Sequence, residues 1–305
     1  MTGRGLMTRR GWVHFPAYLP VTTFGDKYPL DRLLQPYLAR LAGAVMVACH
    51  YARQMTPDRR PALPLWVDSG GFAALFKGSR VLDRNRLGAI EIAGTEGTDQ
   101  VHPAGVLDLQ EQVAEVAFTL DFPIPPGLEP VEARRRQDLT MANARWALAN
   151  RRRRDLPLYA VVQGWDVESA RACARAYAGQ AFDGIAIGGL VPRIRDRPLV
   201  LKWVEAVRAE IGDRPLHVFG LGIPELVADL FRAGVDSVDS SAYVKLAAEG
   251  RLWGKRDYQC GNPTATERLH LALCNLAAAA GATLPLSAAP LQFRTPFLSV
   301  PATSG

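Results

Sequence analysis

Apolar residues along the chain fall into two kinds of segment that alternate. Short runs rich in Val, Ile, Leu and Ala stand between longer stretches in which apolar positions recur every three or four residues. The short runs read as strands and the longer stretches as amphipathic helices. Strands are expected at residues 17–21, 44–49, 64–68, 115–121, 157–162, 183–188, 216–220 and 237–239, and helices at 168–179, 199–211 and 224–233. Strands joined by helical crossovers imply a parallel sheet, and eight of them imply closure into a (β/α)8 TIM barrel in the α/β class. Residues 76–109 break the rhythm, being long, polar and rich in Gly and Thr, and read as an insertion after the third strand. Beyond Gly250 come a loop with Gly261, Asn262 and Pro263, an Ala- and Leu-rich helix, and a Pro-containing tail at 284–305. The expected division is a catalytic barrel over 1–255 and a C-terminal helix and tail over 256–305, packed on the barrel.

Length changes little in this picture, because 305 residues suit one barrel of about 250 residues with additions. A content of 48% hydrophobic and 22% charged residues supports a large buried core and argues against a disordered chain. The formal net charge of +6 favours a polyanionic partner, since basic side chains gain affinity by releasing counterions from phosphates. Much of the excess lies in Arg134 to Arg136 and Arg151 to Arg154, which suit either a solvated helix surface or phosphate contact. Four scattered cysteines and no signal-like leader point to the reducing cytoplasm. No run of about 18 apolar residues occurs, so no membrane partner is expected.

In such a barrel the strand C-termini converge on one face, and polar residues just past each strand are the candidates for chemistry. Asp68 opens Asp68-Ser69-Gly70-Gly71-Phe72, Asp121 ends the fourth strand, and Gln163 follows the fifth. Gly188, Gly189 and Leu190 follow the sixth, Phe219 and Gly220 end the seventh, and Asp239 ends the eighth. Each glycine alone suits a tight turn; together they suit a flat ligand read by backbone groups. No P-loop or complete dinucleotide fingerprint is present. Paired carboxylates at a barrel mouth suit attack at an anomeric carbon, one as nucleophile and one moving protons, a logic shared with glycoside hydrolases. Aromatic rings at Phe72 and Phe219 favour a planar base over a sugar. Asp236 lies near Asp239 and suits a turn cap, while His50 and His217 read as hydrogen-bonded residues and Cys49 as core.

The segments VDSGGF (67–72), VVQG (161–164), FDGIAIGGL (182–190), FGLGIPE (219–225) and AGVDSVDSSAY (233–243) resemble, in order and spacing, the signature blocks of the tRNA-guanine transglycosylase family. Looser counterparts lie at 16–25 and 45–51, so the likeness covers roughly 14–255. The resemblance implies a pentosyltransferase that exchanges guanine for a 7-deazaguanine without breaking the backbone. It implies Asp239 as nucleophile at C1′ and Asp68 as general acid/base. Asp121 would bind the N1 and amino edge of the base, with Gln163 and the backbone around Gly189 on the O6 side. Phe72 and Phe219 would sandwich the ring.

Three departures refine the expectation. The block at 239–253 is more like the archaeosine-type enzymes and lacks the Pro-Thr-Arg segment of the bacterial queuine type. The family's Cys-x-Cys-x-x-Cys cluster is reduced to Cys260, His270 and Cys274, so a structural zinc is a weak expectation beside buried thiols and a packed helix. No cofactor is required for the chemistry. No appended RNA-binding domain is recognisable, and the chain resembles the branch that places 7-deazaguanine in DNA. DNA is therefore expected ahead of tRNA, with 7-cyano-7-deazaguanine as the base. A helicase-like helper would aid base extraction, and a homodimer fits the family. A non-catalytic partner subunit is the rival reading, against which stand both Asp68 and Asp239.

Overall fold

Eight short parallel strands run in chain order as β1 (Ala17–Pro20), β2 (Val45–Ala48), β3 (Leu65–Asp68), β4 (Val116–Phe118), β5 (Leu158–Val162), β6 (Gly184–Ile187), β7 (Leu216–Val218) and β8 (Ser237–Ser240). The computed structural model describes residues 4–24, 29–56, 59–94 and 97–281. The tail expected at 284–305 lies outside the described residues. From β2 to β8 each strand pairs with the next in sequence, and β8 pairs with β1. A parallel bridge from Val21 to Met46, with Thr22 N–H donating to the Met46 carbonyl at 3.0 Å, joins β1 to β2. The expected (β/α)8 barrel is present.

Helices α1 (Pro29–Leu41), α2 (Cys49–Ala52), α3 (Pro103–Val113), α4 (Pro130–Asn150), α5 (Val167–Tyr177), α6 (Arg197–Ile211), α7 (Val227–Arg232) and α8 (Ala242–Ala248) follow the eight strands in turn, and α9 (Ala265–Gly281) packs against α1 and α8. Two apolar cores result. The larger lies between barrel and helices; the smaller fills the barrel with Leu19, Met46, Trp66, Phe118, Tyr159 and Val161. Strand residues alternate between them because the pleat has a period of two. In β3, Leu65 and Val67 face the helices while Trp66 faces the interior.

Three features depart from the sequence reading. Residues 76–109 are not irregular: a three-stranded antiparallel sheet forms from Arg80–Arg84, Leu87–Gly94 and Gly97–Val101, followed by the start of α3. It buries Val81, Ala89 and Ile90, an apolar minority that the surrounding charged residues and glycines conceal. A hairpin of Gly5–Thr8 and Gly11–His14 precedes the barrel and places Val13 in the interior core. A second hairpin, Arg251–Leu252 with Lys255–Gln259, leads into α9.

The two arginine runs separate. Because α4 returns antiparallel to the strands, its end lies at the face opposite the strand C-termini. There Arg151 pairs with Asp183 at 2.6 Å, Arg152 with Glu111 at 2.8 Å, and Arg153 donates to the Glu111 and Ala114 carbonyls. That run ties elements together away from the mouth. At the start of α4, Arg136 donates to the Pro123 carbonyl at 2.9 Å and Arg134 lies over the Trp165 ring at 5.3 Å.

Candidate active site

Strand alternation builds the site directly on the interior core. Asp68 stands two residues beyond inward-facing Trp66, Gln163 two beyond Val161, and Gly188 two beyond Ala186. In the same way Phe219 follows inward-facing His217, and Asp239 follows Ser237. The site is thus the next layer of side chains toward the strand C-termini. It opens as a cavity of about 370 Å³, within the range of small-molecule sites, walled by Asp68, Phe72, Asp121, Gln163, Gly188, Gly189, Phe219, Gly220 and Asp239. Leu190 is fully buried behind this wall and does not face the cavity.

Asp239 is held from below and from the side. Its Oδ1 accepts from Gly220 N–H at 2.9 Å and lies 3.1 Å from His217 Nε2, whose other ring nitrogen, Nδ1, is 2.9 Å from Ser237 Oγ. A neutral imidazole serves both contacts by donating from Nε2 to the carboxylate and accepting the serine hydroxyl at Nδ1. His217 is completely buried against Trp66, Phe118 and Phe219, with ring centroids 5.8, 5.1 and 4.7 Å away. Oδ1 is engaged twice, so the carboxylate is fixed in orientation.

The other two carboxylates are electrostatically distinct. Burial pushes the Asp68 carboxyl up to about 7, and the charges of Asp121 and Asp239 add to that rise against the Gly70 and Ser69 N–H groups. Burial also pushes Asp121 up to about 6, opposed by hydrogen bonds from Gln163 Nε2 at 2.6 Å and Ser69 Oγ at 3.0 Å. A carboxyl that titrates near neutrality suits proton transfer in both directions.

Neighbouring helices set the loops that carry these groups. Gln110 on α3 donates to the Val67 and Phe118 carbonyls at 2.9 and 2.8 Å, bracing β3 and β4 just below Asp68. Gln137 on α4 donates to the Gln163 carbonyl at 2.7 Å, and Asn143 bonds Gly88 of the antiparallel sheet on both sides and the Leu120 carbonyl. Asp166 and Ser169 form a capping box that starts α5 directly after Gln163 and Gly164. Two glycines are obligatory. Gly189 has φ of +72°, and a Cβ there would stand 2.6 Å from Gln163 Oε1; a Cβ at Gly71 would overlap the Asp121 backbone oxygen. Gln163 Oε1 is buried with no hydrogen-bond partner, leaving an acceptor on the wall of the cavity.

The aromatic pair is asymmetric. Phe219 packs at 4.8 Å on Phe118, whereas Phe72 is 59% exposed at the rim, edge-on to Phe76 at 5.9 Å. Asp236, the alternative to Asp239, is at the other end of β8, where it pairs with Arg4 and Arg208, both at 2.8 Å. His270 Nε2 and Cys274 Sγ are 3.6 Å apart on α9, but no group of three or more His, Cys, Asp or Glu side chains able to hold a metal occurs among the described residues. Cys260 adds no third ligand to this pair among the described residues. His217 and Lys245, the latter lining the cavity from α8, were not among the site residues expected from sequence. The signal for His217 was present in its spacing of two from Phe219. Ser69 was likewise visible beside Asp68, but only the fold shows that it bonds Asp121. No helix of the described residues is long and apolar enough to cross a membrane.

Residues 50–276 match the family described as TGT, queuine tRNA-ribosyltransferase. A tRNA-guanine(15) transglycosylase of Methanothermobacter thermautotrophicus is 30% identical over 266 residues, covering 81% of this chain and 36% of the relative. A DNA-guanine transglycosylase of Salmonella montevideo is 31% identical over 121 residues, 39% of this chain and 29% of the relative. A queuine tRNA-ribosyltransferase of Thermosipho africanus is 27% identical over 195 residues, 62% and 52% of the two chains. The matched region thus spans 36% and 52% of two of these relatives and 29% of the other. With the family match covering most of the barrel and the ordered sequence blocks lining one cavity, this chain belongs to the tRNA-guanine transglycosylase family.

Proposed function

We propose that this chain exchanges a guanine base of a nucleic acid, with DNA as the polymer, for a 7-deazaguanine, 7-cyano-7-deazaguanine being the form favoured by the archaeosine-like block after Asp239. The observation that carries the reading is the joint placement of Asp68, Asp121 and Asp239 on one base-sized cavity, with one carboxylate fixed in orientation and one titrating near neutrality. Asp239 attacks C1′ as the N9–C1′ bond breaks, and the departing guanine takes a proton from Asp68. The incoming base returns its proton to Asp68, attacks C1′ and releases Asp239, so no net proton or oxidant is needed. Asp121 accepts from the N1 and amino edge, and the second Nε2–H of Gln163, the first being given to Asp121, donates to O6 together with a backbone N–H around Gly189.

DNA is supported by the absence of the Pro-Thr-Arg segment after the nucleophile and by the likeness to a relative named for DNA, while relatives named for tRNA make tRNA the alternative polymer. Lys245 at the cavity and Arg134 at the same face supply positive charge for a phosphate backbone. Taking a base out of a duplex costs a few kcal/mol, which a single-stranded substrate or a helicase-like helper offsets. The test is incorporation of radiolabelled guanine into duplex DNA, single-stranded DNA and tRNA, with wild type and Asp239→Ala in parallel. Label in DNA with wild type alone is the expected result. Label in tRNA alone moves the chain to the tRNA branch, and no exchange into any polymer, with or without added helicase, overturns the reading.

A further inference from the structure

Behind the base-facing wall lies a buried cation that the chemistry above does not use. Arg193 is only 8% exposed, and none of its hydrogen bonds goes to a carboxylate. Its guanidinium instead donates to three main-chain carbonyls, Gly189 at 2.7 Å, Ile124 at 3.2 Å and Trp165 at 3.3 Å, and lies over the Trp203 ring at 5.0 Å. These carbonyls belong to the loops after β6, β4 and β5, which carry Gly189, Asp121 and Gln163. A buried charge without a counter-ion is expensive, and burial lowers its pKa, so its retention points to what it holds in place.

We propose that Arg193 is a positioning residue for base recognition, a single fork that locks the three loops reading the edge of the bound base in mutual register. The inference rests on the proposed base exchange. A planar guanidinium presents donors in fixed directions, so three carbonyls bound to it cannot shift independently. The bond to Gly189 also fixes the peptide between Gly189 and Leu190, because a planar trans peptide directs its N–H opposite to its C=O. Gly189, at a φ of +72°, contributes no side chain to that peptide, and Arg193 supplies the polar anchor of its carbonyl. Lysine has one ammonium group and cannot span the same three acceptors.

The experiment compares Arg193→Met and Arg193→Lys with wild type in base exchange, measuring KM and kcat for guanine, the preference for guanine over hypoxanthine, and thermal stability. Loss of the charge-assisted bonds raises KM for the base about 10- to 100-fold and narrows its preference over hypoxanthine, with kcat changed less than about threefold. The Lys variant falls between Met and wild type. A purely structural role would lower the folded fraction and the apparent kcat together and leave KM and preference unchanged, which overturns the proposal. If Arg193→Met does not fold, the Lys variant decides: KM equal to wild type overturns it, and a raised KM with retained kcat supports it. Absence of exchange in wild type would fault the proposed reaction, and guanine affinity by isothermal titration then decides the role of Arg193: an unchanged Kd in Arg193→Met and Arg193→Lys overturns it, and a Kd raised about 10- to 100-fold supports it.

Discussion

Replacing Asp68 by Asn is expected to stabilise the protein while disabling it, and the pH dependence of both effects is fixed by the same carboxyl. Its pKa rises from an ordinary 3.8 to about 7. About three pH units at about 1.4 kcal/mol each set an upper figure near 4 kcal/mol for the strain of ionising Asp68 in the fold. The group lines an open cavity that admits water, so about half of that, about 2 kcal/mol, is the expected gain in Asp68→Asn. A raised folded-state pKa means that Asp68 contributes its stability below the unfolded carboxyl's pKa and loses it as pH rises through about 7. The variant should therefore match wild type near pH 4 and exceed it progressively up to pH 8. Urea unfolding at both pH values measures the difference. A stability difference that is the same at pH 4 and pH 8 refutes the electrostatic argument. In parallel, the proposed exchange, in which the leaving guanine takes its proton from Asp68, requires wild-type kcat/KM for the polymer to fall above pH 7 and the residual activity of Asp68→Asn to lack that limb.

His217→Phe removes one of the two donors to Asp239 and should lower kcat about 10- to 100-fold with little change in KM for the base, read from the single-turnover rate of covalent trapping. Gly71→Ala forces a Cβ against the Asp121 backbone and should cost about 1–3 kcal/mol and abolish base binding, checked by urea unfolding and isothermal titration with guanine. Asn143→Leu strands the Gly88 N–H and the Gly88 and Leu120 carbonyls in the interior. It should cost about 3 kcal/mol and lower exchange through the loop bearing Asp121, and denaturant midpoint and activity together test this.

What the sequence determined by itself was the scaffold and which polar residues reach the barrel mouth. All eight barrel strands lie where short apolar runs between helical stretches place them, because a parallel strand covered on both faces needs an unbroken apolar run and a crossover helix. Asp68 and Asp239 were legible as carboxylates at predicted strand ends, and strand parity alone would have added His217. The antiparallel sheet after β3 was not legible, since its few apolar residues are outnumbered and become meaningful only when packed on α4. Nor was the division of the arginines, which depends on the direction α4 runs. Tertiary structure alone decided the working details: that Ser69 and Gln163 meet on Asp121, that Leu190 turns away from the cavity, and that Arg193 joins three loops far apart in sequence. Those contacts are made by side chains and main-chain carbonyls from different βα units. A local pattern in the chain records which way a residue points, but not which distant atom it will find there.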